Sequence, residues 1–346
     1  MRANSAFSRV DSSLKTPRRV VALGGGTGLP AVLRGLSSRV NRNDAGALTA
    51  VVTMSDDGGS SGRLRKTMGL PPPGDVRNCL VALSEEEDLL ASLFQHRYGG
   101  CPELSGHSVG NLILAALAEQ TGSFLKAVEV SSRVLRTRGR ILPATQDDVR
   151  LEAELENGSQ VDGETAIAAC AEKIRRISLL PRSARPTSGV IEAILEADLV
   201  VLGPGSLYTS LVPNIVVGGV ADALRRTRGV VVMVANLVGE KGPAARLDLG
   251  DHVAVVEEHA GGSVVDAVLV NDSPIDEEIV ERYRAEGVSP LDWPEQDRDL
   301  FVVRKPLLAE GPKLRHDPFM TAEGLIEAWA NLRAEAPVEL SGRRDG

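Results

Sequence analysis

Short runs of apolar, often β-branched residues alternate along the chain with segments in which apolar residues recur every three or four positions. The short runs predict buried strands, and the periodic segments predict helices that cover them. This alternation is typical of an α/β fold, in which helices flank a parallel sheet. Predicted strands cover residues 20–25, 47–54, 197–205, 229–237 and 265–272. Predicted helices cover residues 29–38, 76–97, 108–137 and 319–334.

The pattern changes between residues 138 and 185. Apolar and polar residues alternate on both sides of "NGS" in residues 148–164, which predicts a β-hairpin, and residues 173–181 predict a strand beside it. We therefore expect a small β-rich insertion at the edge of the sheet, within one domain that spans residues 18–334. Residues 1–17 lack the apolar segment of a signal peptide and are predicted to be a disordered tail. Residues 335–346 are predicted to be a frayed tail.

Composition and charge narrow the classes of partner. The chain has 346 residues, a formal net charge of −8 and only 3% aromatic residues, which suits neither non-specific nucleic-acid binding nor base stacking. Residues 199–221 carry no charge, but their glycines, prolines and Asn214 do not suit a membrane-spanning helix. Cys79, Cys101 and Cys170 lie far apart without metal-ligand spacing, as expected of reduced thiols in a cytoplasmic protein.

Four loops combine a glycine or proline turn with the start of a helix, where backbone N–H groups and the helix dipole favour an anion. They contain "GGGTGLP" (24–30), "PPPGDVRN" (71–78), "SGHSVGN" (105–111) and "GPGSLYTS" (203–210). Because loops after parallel strands share one edge of the sheet, the four together predict a ligand with several anionic groups, such as a nucleotide diphosphate. Leu29 or Pro30 replaces the third glycine of the dinucleotide fingerprint, so a nicotinamide oxidoreductase is the weaker alternative.

Structural roles compete with ligand binding in these loops. The glycine turn can serve close packing alone, His107 can be a capping or core histidine, and Asn111 can be a local cap. Asp75 is predicted to cap its helix. Arg77 lies near the positive end of the same helix, where the dipole does not stabilise it, so its position favours an anionic ligand nearby.

The segment "TMSDDGGSSGRLR" (53–65) follows the second predicted strand and therefore lies on the same edge. Asp56 and Asp57 can bind Mg²⁺ that bridges a diphosphate, or they can hold a ribose. The Gly-Ser turn can surround a phosphate that Arg63 and Arg65 neutralise. The alternative is a solvated polar loop.

These motifs together resemble a known family. "GGGTGLPAVLRGL", "TMSDDGGSSGRLR", "PPPGDVRNCLVALS", "LFQHRY", "LSGHSVGNLILAAL", "RGRILPAT", "ADLVVLGPGSLYTSLVPN" and "LRHDP" occur in the order found in the bacterial gluconeogenesis factors, relatives of 2-phospho-L-lactate transferase. The similarity spans about residues 18–334. It implies a Rossmann-like three-layer fold and a cytoplasmic protein needed for normal cell shape and for growth on gluconeogenic carbon sources. It also implies binding of UDP-sugars, notably UDP-N-acetylglucosamine, without an established reaction.

The resemblance also implies roles for individual residues. Asp56 or Asp57 matches an acid that holds a metal in the transferase relatives, and Tyr283 and Arg315 match residues tied to UDP-sugar binding. The chain departs from the family pattern at residues 246–248, where Arg-Leu-Asp replaces Gly-Tyr-Thr before Asp251 and His252. A ligand contact from that aromatic position has no counterpart here.

Residues and resemblance together predict a nucleotide-sugar-binding regulatory protein for which no catalytic residue can be named. The alternative is a transferase that moves a phosphorylated group from a nucleotide-linked donor with the help of Mg²⁺, the one cofactor considered. A homodimer and cell-envelope regulators are open as partners. The candidate ligand-binding residues are Gly25, Gly26, Thr27, Gly28, Ser60, Arg63, Arg77, Asn78, His107, Ser108, Asn111, Gly205, Ser206, Tyr283 and Arg315. The candidate metal ligands are Asp56 and Asp57.

Overall fold

A seven-stranded parallel sheet lies at the centre of the protein. The computed structural model describes residues 16–41, 44, 46–85, 89–100, 102–291 and 300–335. Within these ranges the strands are β1 (Val20–Gly24), β2 (Leu48–Val52), β3 (Arg140–Pro143), β4 (Arg150–Leu155), β5 (Gln160–Asp162), β6 (Ile174–Leu180), β7 (Leu199–Leu202), β8 (Val230–Val234), β9 (Ala267–Asn271) and β10 (Phe301–Lys305). The central sheet has the strand order β10-β9-β8-β7-β1-β2-β3.

Helices connect most of these strands. In the same described ranges they are α1 (Gly28–Ser37), α2 (Gly59–Met68), α3 (Gly74–Leu83), α4 (Leu89–Gln95), α5 (Val109–Thr121), α6 (Phe124–Val134), α7 (Glu164–Ala169), α8 (Val190–Glu196), α9 (Val212–Ile215), α10 (Val220–Arg226), α11 (Leu249–Ala260), α12 (Glu277–Ala285) and α13 (Pro318–Glu335). Leu207–Leu211 forms a π-helical turn and Gly242–Ala244 a 3₁₀ turn.

The core has two parts, one on each face of the sheet. Alternate residues of a strand point to opposite faces, so Val21 and Leu23 of β1 join one apolar cluster while Val20 and Ala22 join the other. The first cluster includes residues of α8, α10, α11 and the small sheet, and the second includes residues of α1, α3, α5 and α13. The three-layer α/β prediction is confirmed, and burial of both faces explains why the strand sequences are apolar almost throughout.

The predicted insertion is smaller than expected. β3 lies within residues 138–185, yet it pairs in parallel with β2 and forms an edge of the central sheet. Only β4, β5 and β6 form the separate antiparallel sheet, in the order β5-β4-β6. The prediction was wrong at this boundary because the four-residue strand β3 carries no local sign of which sheet it joins. The helices α2 and α7 and the edge strand β10 are among the elements for which the sequence analysis gave no range.

The uncharged segment 199–221 folds as β7, a turn and short helical pieces, as its sequence indicates. Within the described ranges no single helix is long and apolar enough to span a membrane. The pair Leu207–Ile215 and Val220–Arg226 together has the length and apolar composition of a membrane span, but it is bent by 76°. Every residue of Leu207–Ile215 is buried inside the protein. Cys79 is a buried thiol and Cys170 a partly exposed one. Cys101 and most of both predicted tails lie outside the described residues.

The strand order reverses at the centre of the sheet. From β1 the chain moves outward to β2 and β3, whereas from β7 it moves in the opposite direction to β8, β9 and β10. Ligands of open α/β sheets bind in the crevice that such a reversal opens at the carboxyl ends of the strands. Here that crevice lies between the ends of β1 and β7.

Candidate functional site

Two glycine turns meet at this crevice. One follows β1 at residues 24–27, and the other follows β7 at residues 203–206. A Cβ atom on Gly28 would lie 2.0 Å from the carbonyl oxygen of Pro204, so the backbones of the two turns touch. Gly26 and Gly205 have φ angles of +60° and +139°, which favour glycine. The two turns are therefore adjacent at the sheet edge on which the sequence predicts a ligand.

Asp75 is hydrogen-bonded to a backbone N–H group of the first glycine turn. Its Oδ2 accepts a hydrogen bond from the Gly26 N–H at 2.7 Å. The prediction that Asp75 caps its own helix is wrong, because α3 begins at Gly74 and Asp75 lies inside its first turn. Burial, with the nearby charge of Asp56, raises the pKa of Asp75 to about 6. Asn78 supports the same turn by donating to the Gly26 carbonyl at 3.3 Å.

Side chains from the segment after β8 hold the second turn. Asn236 accepts from the Gly205 N–H at 2.8 Å and donates to the Gly205 carbonyl at 2.9 Å. Glu240 accepts from the Leu207 N–H at 2.8 Å. Ser206 precedes the π-helical turn and makes no side-chain cap there. The sequence analysis missed Asn236 and Glu240, because its predicted strand 229–237 extends past the end of β8 at Val234 and includes Asn236.

A buried polar network links α2, α3 and α5. Ser60 Oγ lies 2.9 Å from His107 Nδ1 and accepts from Asn111 Nδ2 at 3.0 Å. Arg77 donates to Ser108, whose hydroxyl also caps α5 by accepting from the Asn111 N–H. Burial, together with the charge of Arg63, lowers the pKa of His107. The five predicted residues from three loops thus lie together, and Ser108 rather than Asn111 is the local cap.

Of the two arginines predicted beside a phosphate, Arg65 has another role. Its guanidinium forms an ion pair with Asp148 and donates to the Val149 carbonyl, which ties α2 to the start of β4. Arg63 donates to the Ser105 carbonyl and remains exposed near the polar network. The idea that both arginines neutralise a phosphate is therefore wrong for Arg65.

Carboxylates gather at the end of β2. Asp57 Oδ1 accepts from the Thr165 N–H at 3.0 Å and from its hydroxyl at 2.6 Å, which joins this loop to α7. Asp56 Oδ1 accepts from the Gly58 N–H at 2.9 Å. Burial and the neighbouring charges of Asp56, Asp75 and Asp57 raise the pKa of Glu164 to about 8.

The described residues contain no group of three or more histidine, cysteine or acidic side chains arranged to hold a metal ion. Mg²⁺ in nucleotide sites commonly uses one or two carboxylates and takes its other ligands from phosphates and water. The hard oxygen donors Asp56 and Asp75, which line one cavity, fit an ion of that kind.

Two cavities lie along this edge of the protein. The larger, of about 410 Å³, is lined by Ser206, Thr209, Lys241 and Tyr283 among others. The smaller, of about 230 Å³, is lined by first-turn residues of α2, α3 and α5 together with Asp56 and Arg97. Asp75, which lines the smaller cavity, also contacts the first glycine turn, since a Cβ atom on Gly25 would be 2.7 Å from Asp75 Oδ2. Of the predicted ligand residues, Ser206 and Tyr283 line the larger cavity, and Ser60, Arg77, Asn78 and Asn111 line the smaller one.

Tyr283 and Arg315, which are far apart in sequence, come close in the structure. Tyr283 lies on α12, and its hydroxyl accepts a hydrogen bond from the Leu314 N–H at 3.3 Å. Arg315 is therefore the next residue after the one that Tyr283 contacts. The next residue, His316, is buried and within 3.0 Å of the Ala235 carbonyl through Nε2. Burial lowers the pKa of His316 to about 4. The side chain of Arg315 is exposed beside this anchored segment.

The segment that departs from the family pattern has a structural role. Asp248 caps α11 and forms a capping box with Asp251, while Leu247 packs against the core. His252 donates through Nδ1 to the Asp248 carbonyl at 2.6 Å, and its Nε2 lies 3.7 Å from Glu240. Although burial alone would lower it, these contacts raise the pKa of His252. The helix start at residue 248 is thereby connected to the Glu240 carboxylate at the second glycine turn.

Comparisons with known proteins agree with this architecture. The sequence profile of the family described as 2-phospho-L-lactate transferase CofD matches residues 20–308. The chain is 40% identical to the gluconeogenesis factor of Halalkalibacterium halodurans over 90% of its own length and 96% of that protein. It is 40% identical to the gluconeogenesis factor of Bacillus subtilis over 89% of its length and 97% of that protein. A crystal structure of a UPF0052-family protein from Bacillus halodurans superposes with a TM-score of 0.85 at 40% identity, covering 89% of this chain and 99% of that chain.

Proposed function

Since the chain belongs to the CofD family and shares about 40% identity with gluconeogenesis factors over most of its length, we propose that it is a regulatory protein of that kind, which binds a nucleotide sugar. In this proposal it acts in the cytoplasm, supports growth on gluconeogenic carbon sources and maintains normal cell shape. Its ligand is a UDP-sugar of the UDP-N-acetylglucosamine type.

The observation that carries the proposal is the position of Tyr283. Its side chain lines the larger cavity together with Ser206 of the second glycine turn, and its hydroxyl contacts the backbone next to Arg315. A diphosphate bound beside Ser206 at the second glycine turn would thus lie next to an aromatic ring suited to a uracil or a sugar. Arg315, exposed at the same segment, can pair with phosphate oxygens through two hydrogen bonds.

A second function has support in the family match and in the acids after β2. A transferase would use Mg²⁺ held by Asp56 and its neighbours to neutralise a leaving diphosphate. Asp56 lines the smaller cavity, and Asp57 already caps α7. We favour the regulator, because the sequence names no acceptor and the described part of the chain offers no obvious general base beyond His107 and the acids.

Titration calorimetry with UDP-N-acetylglucosamine tests the proposal. Removal of one charge-assisted contact costs roughly 1.5–3 kcal/mol, so Arg315→Ala should bind about ten- to a hundredfold more weakly. Tyr283→Ala should show a loss of similar size. Lys313→Ala, which removes an exposed charge from the same segment, is the matched control and should bind like the wild type.

Incubation of the wild type with UDP-N-acetylglucosamine and Mg²⁺ separates the two functions. A regulator returns the nucleotide sugar intact, whereas steady release of UDP or UMP in the presence of an acceptor would establish the transferase. Unchanged affinity in both Arg315→Ala and Tyr283→Ala would exclude this binding site.

A further inference from the structure

His252, in the first turns of α11, has a buried nitrogen that no hydrogen bond satisfies. Its Nδ1 lies 2.6 Å from the Asp248 carbonyl, which can only accept a hydrogen bond, so Nδ1 carries a proton. Its Nε2 is buried and, among the residues that the structure describes, has no hydrogen-bond partner. Nε2 lies 3.7 Å from the Glu240 carboxylate, which is too long for a hydrogen bond but within the range of an ion pair. A buried polar atom in this position calls for an explanation.

The arrangement favours the charged form of His252. A neutral imidazole protonated at Nδ1 would turn the lone pair of Nε2 toward the negative Glu240 carboxylate, whereas the imidazolium turns an N–H toward it. The side chains of His252 and Glu240 are only 2% and 16% exposed, so water screens the pair weakly. Burial opposes the charged form. The carboxylates of Glu240 and Asp251 and the carbonyl of Asp248 outweigh burial and raise the pKa of the imidazole above its ordinary value of 6.5.

The other elements that pack near this pair add no second cation to it. The short helix α9, which packs on α11, has no titratable side chain. The helix α10 brings Arg225 to the opposite end of α11, where it donates to the Ala260 carbonyl. Tyr208 is an uncharged phenol, because burial and the nearby carboxylates, Glu240 among them, raise its pKa to about 12. His252 is therefore the cation that these contacts place beside Glu240.

Glu240 connects this pair to the larger cavity. Its Oε1 accepts from the Leu207 N–H at 2.8 Å, next to the second glycine turn, and the residue lines the cavity. The other charged residues that line it, Lys241 and Glu286, form an ion pair with each other at 3.1 Å. Without the charge of His252, Glu240 would therefore add a net negative charge to this lining, which would repel a diphosphate.

We propose that His252 is a positioning residue whose protonation is coupled to ligand binding: as the imidazolium it holds Glu240 on the Leu207 N–H and cancels its charge, so that the diphosphate of a UDP-sugar is accepted in the larger cavity. This inference rests on the proposed nucleotide-sugar function and adds a means of regulation to it. Affinity falls as the pH rises and His252 loses its proton. By linkage, the bound ligand strengthens the binding of that proton by the same factor.

Titration calorimetry with UDP-N-acetylglucosamine between about pH 6 and 8.5 tests the coupling on the full chain. Both phosphates of this probe stay ionised and its uracil stays uncharged over the range, so a change in affinity comes from the protein. The wild type should lose up to about tenfold in affinity, the factor that corresponds to a rise of about one unit in the pKa of His252 on binding. His252→Gln should bind at pH 6 as weakly as the wild type does at pH 8.5.

The pH profile of His252→Gln is compared with that of the wild type. Asp75 and Glu164, with pKa values of about 6 and about 8, titrate in the same range but are present in both proteins. The difference between the two profiles therefore reports His252. His259→Gln is the matched control, since His259 lies on the same helix but accepts the Ile177 N–H through Nε2 and does not line the cavity. It should keep the wild-type profile.

Replacement of Glu240 separates charge from packing. The amide of Glu240→Gln keeps an acceptor for the Leu207 N–H but removes the charge. This variant should bind more tightly than the wild type at pH 8.5, with the pH profile of His252→Gln. The double variant His252→Gln/Glu240→Gln should regain the wild-type affinity of pH 6, which a merely structural role of His252 would not allow. Glu240→Gln alone decides the question if His252→Gln does not fold.

NMR of the histidine side chains gives a readout that needs no ligand. The His252 signal should titrate above 6.5 in the wild type and at a lower pH in Glu240→Gln. If UDP-N-acetylglucosamine binds but the wild type, His252→Gln and Glu240→Gln share one pH profile, the inference is overturned and the proposed function stands. Absence of binding at every pH would overturn the proposed function. A His252 signal that does not respond to Glu240→Gln would overturn the charge pair, whether or not the ligand binds.

Discussion

Gly28 begins α1 at the point where the two glycine turns touch. A Cβ atom there would lie 2.0 Å from the Pro204 carbonyl oxygen and 2.6 Å from the carbonyl carbon. Both are backbone atoms, so no side-chain rotation can relieve the contact. To restore van der Waals spacing in Gly28→Ala, the turn after β7 must move by roughly 1 Å or more.

Overpacking of this kind typically costs about 1–3 kcal/mol. In a domain of about 150–250 residues each kcal/mol lowers the melting temperature by about 2–4 °C, so a loss of several degrees is expected for Gly28→Ala. Because the displaced turn carries Gly205 and Ser206, the affinity for UDP-N-acetylglucosamine should fall as well. Differential scanning calorimetry and titration calorimetry measure the two effects on the same preparation.

Gly99→Ala is the control, since a Cβ atom on Gly99 meets nothing within 4 Å. It should melt and bind like the wild type. If Gly28→Ala also melts at the wild-type temperature and binds with wild-type affinity, the two turns do not form one rigid crevice, and the argument from their contact is wrong.

Two further predictions concern pH. The pKa of His316 falls from 6.5 to about 4 on folding, so the unfolded chain binds more protons than the folded protein between these pH values. The contribution of neutral His316 to the free energy of unfolding is therefore complete above pH 6.5 and is lost as the pH falls toward 4. Urea unfolding should show that the wild type loses about 2 kcal/mol between pH 7.5 and 5 through this group, a loss absent from His316→Gln; equal pH dependence in both would refute the assignment. The pKa of Glu164 rises on folding from 4.5 to about 8, so the folded protein binds more protons than the unfolded chain between these pH values. The contribution of protonated Glu164 to the free energy of unfolding is complete below pH 4.5 and is lost as the pH rises through 8. Glu164→Gln should therefore melt higher than the wild type at pH 9, with the difference closing toward pH 5, and parallel melting curves would contradict the acid cluster.

The sequence by itself determined the class of fold and indicated the edge of the sheet at which the candidate site lies. Apolar runs such as "VVALG" are buried on both faces, and only a sheet covered by helices on both sides provides that burial. The four glycine or proline loops were identifiable because a turn followed by a helix start is a local pattern. The shared direction of parallel strands brings together the turns after β1 and β7, whereas the loops at residues 71–78 and 105–111 connect helices and reach the same edge through helix packing.

Only the tertiary structure decided which polar groups meet. Asp75 accepts a hydrogen bond from the Gly26 N–H rather than capping its own helix. Arg65 forms an ion pair with Asp148 rather than contacting a phosphate. The contact of Tyr283 with Leu314 and the assignment of β3 to the central sheet are decided in the same way. Such pairs are distant in the chain, and periodicity reports only which face of its own element a residue occupies. Strand order and the packing of loops bring them together, and these depend on the burial of the whole apolar core.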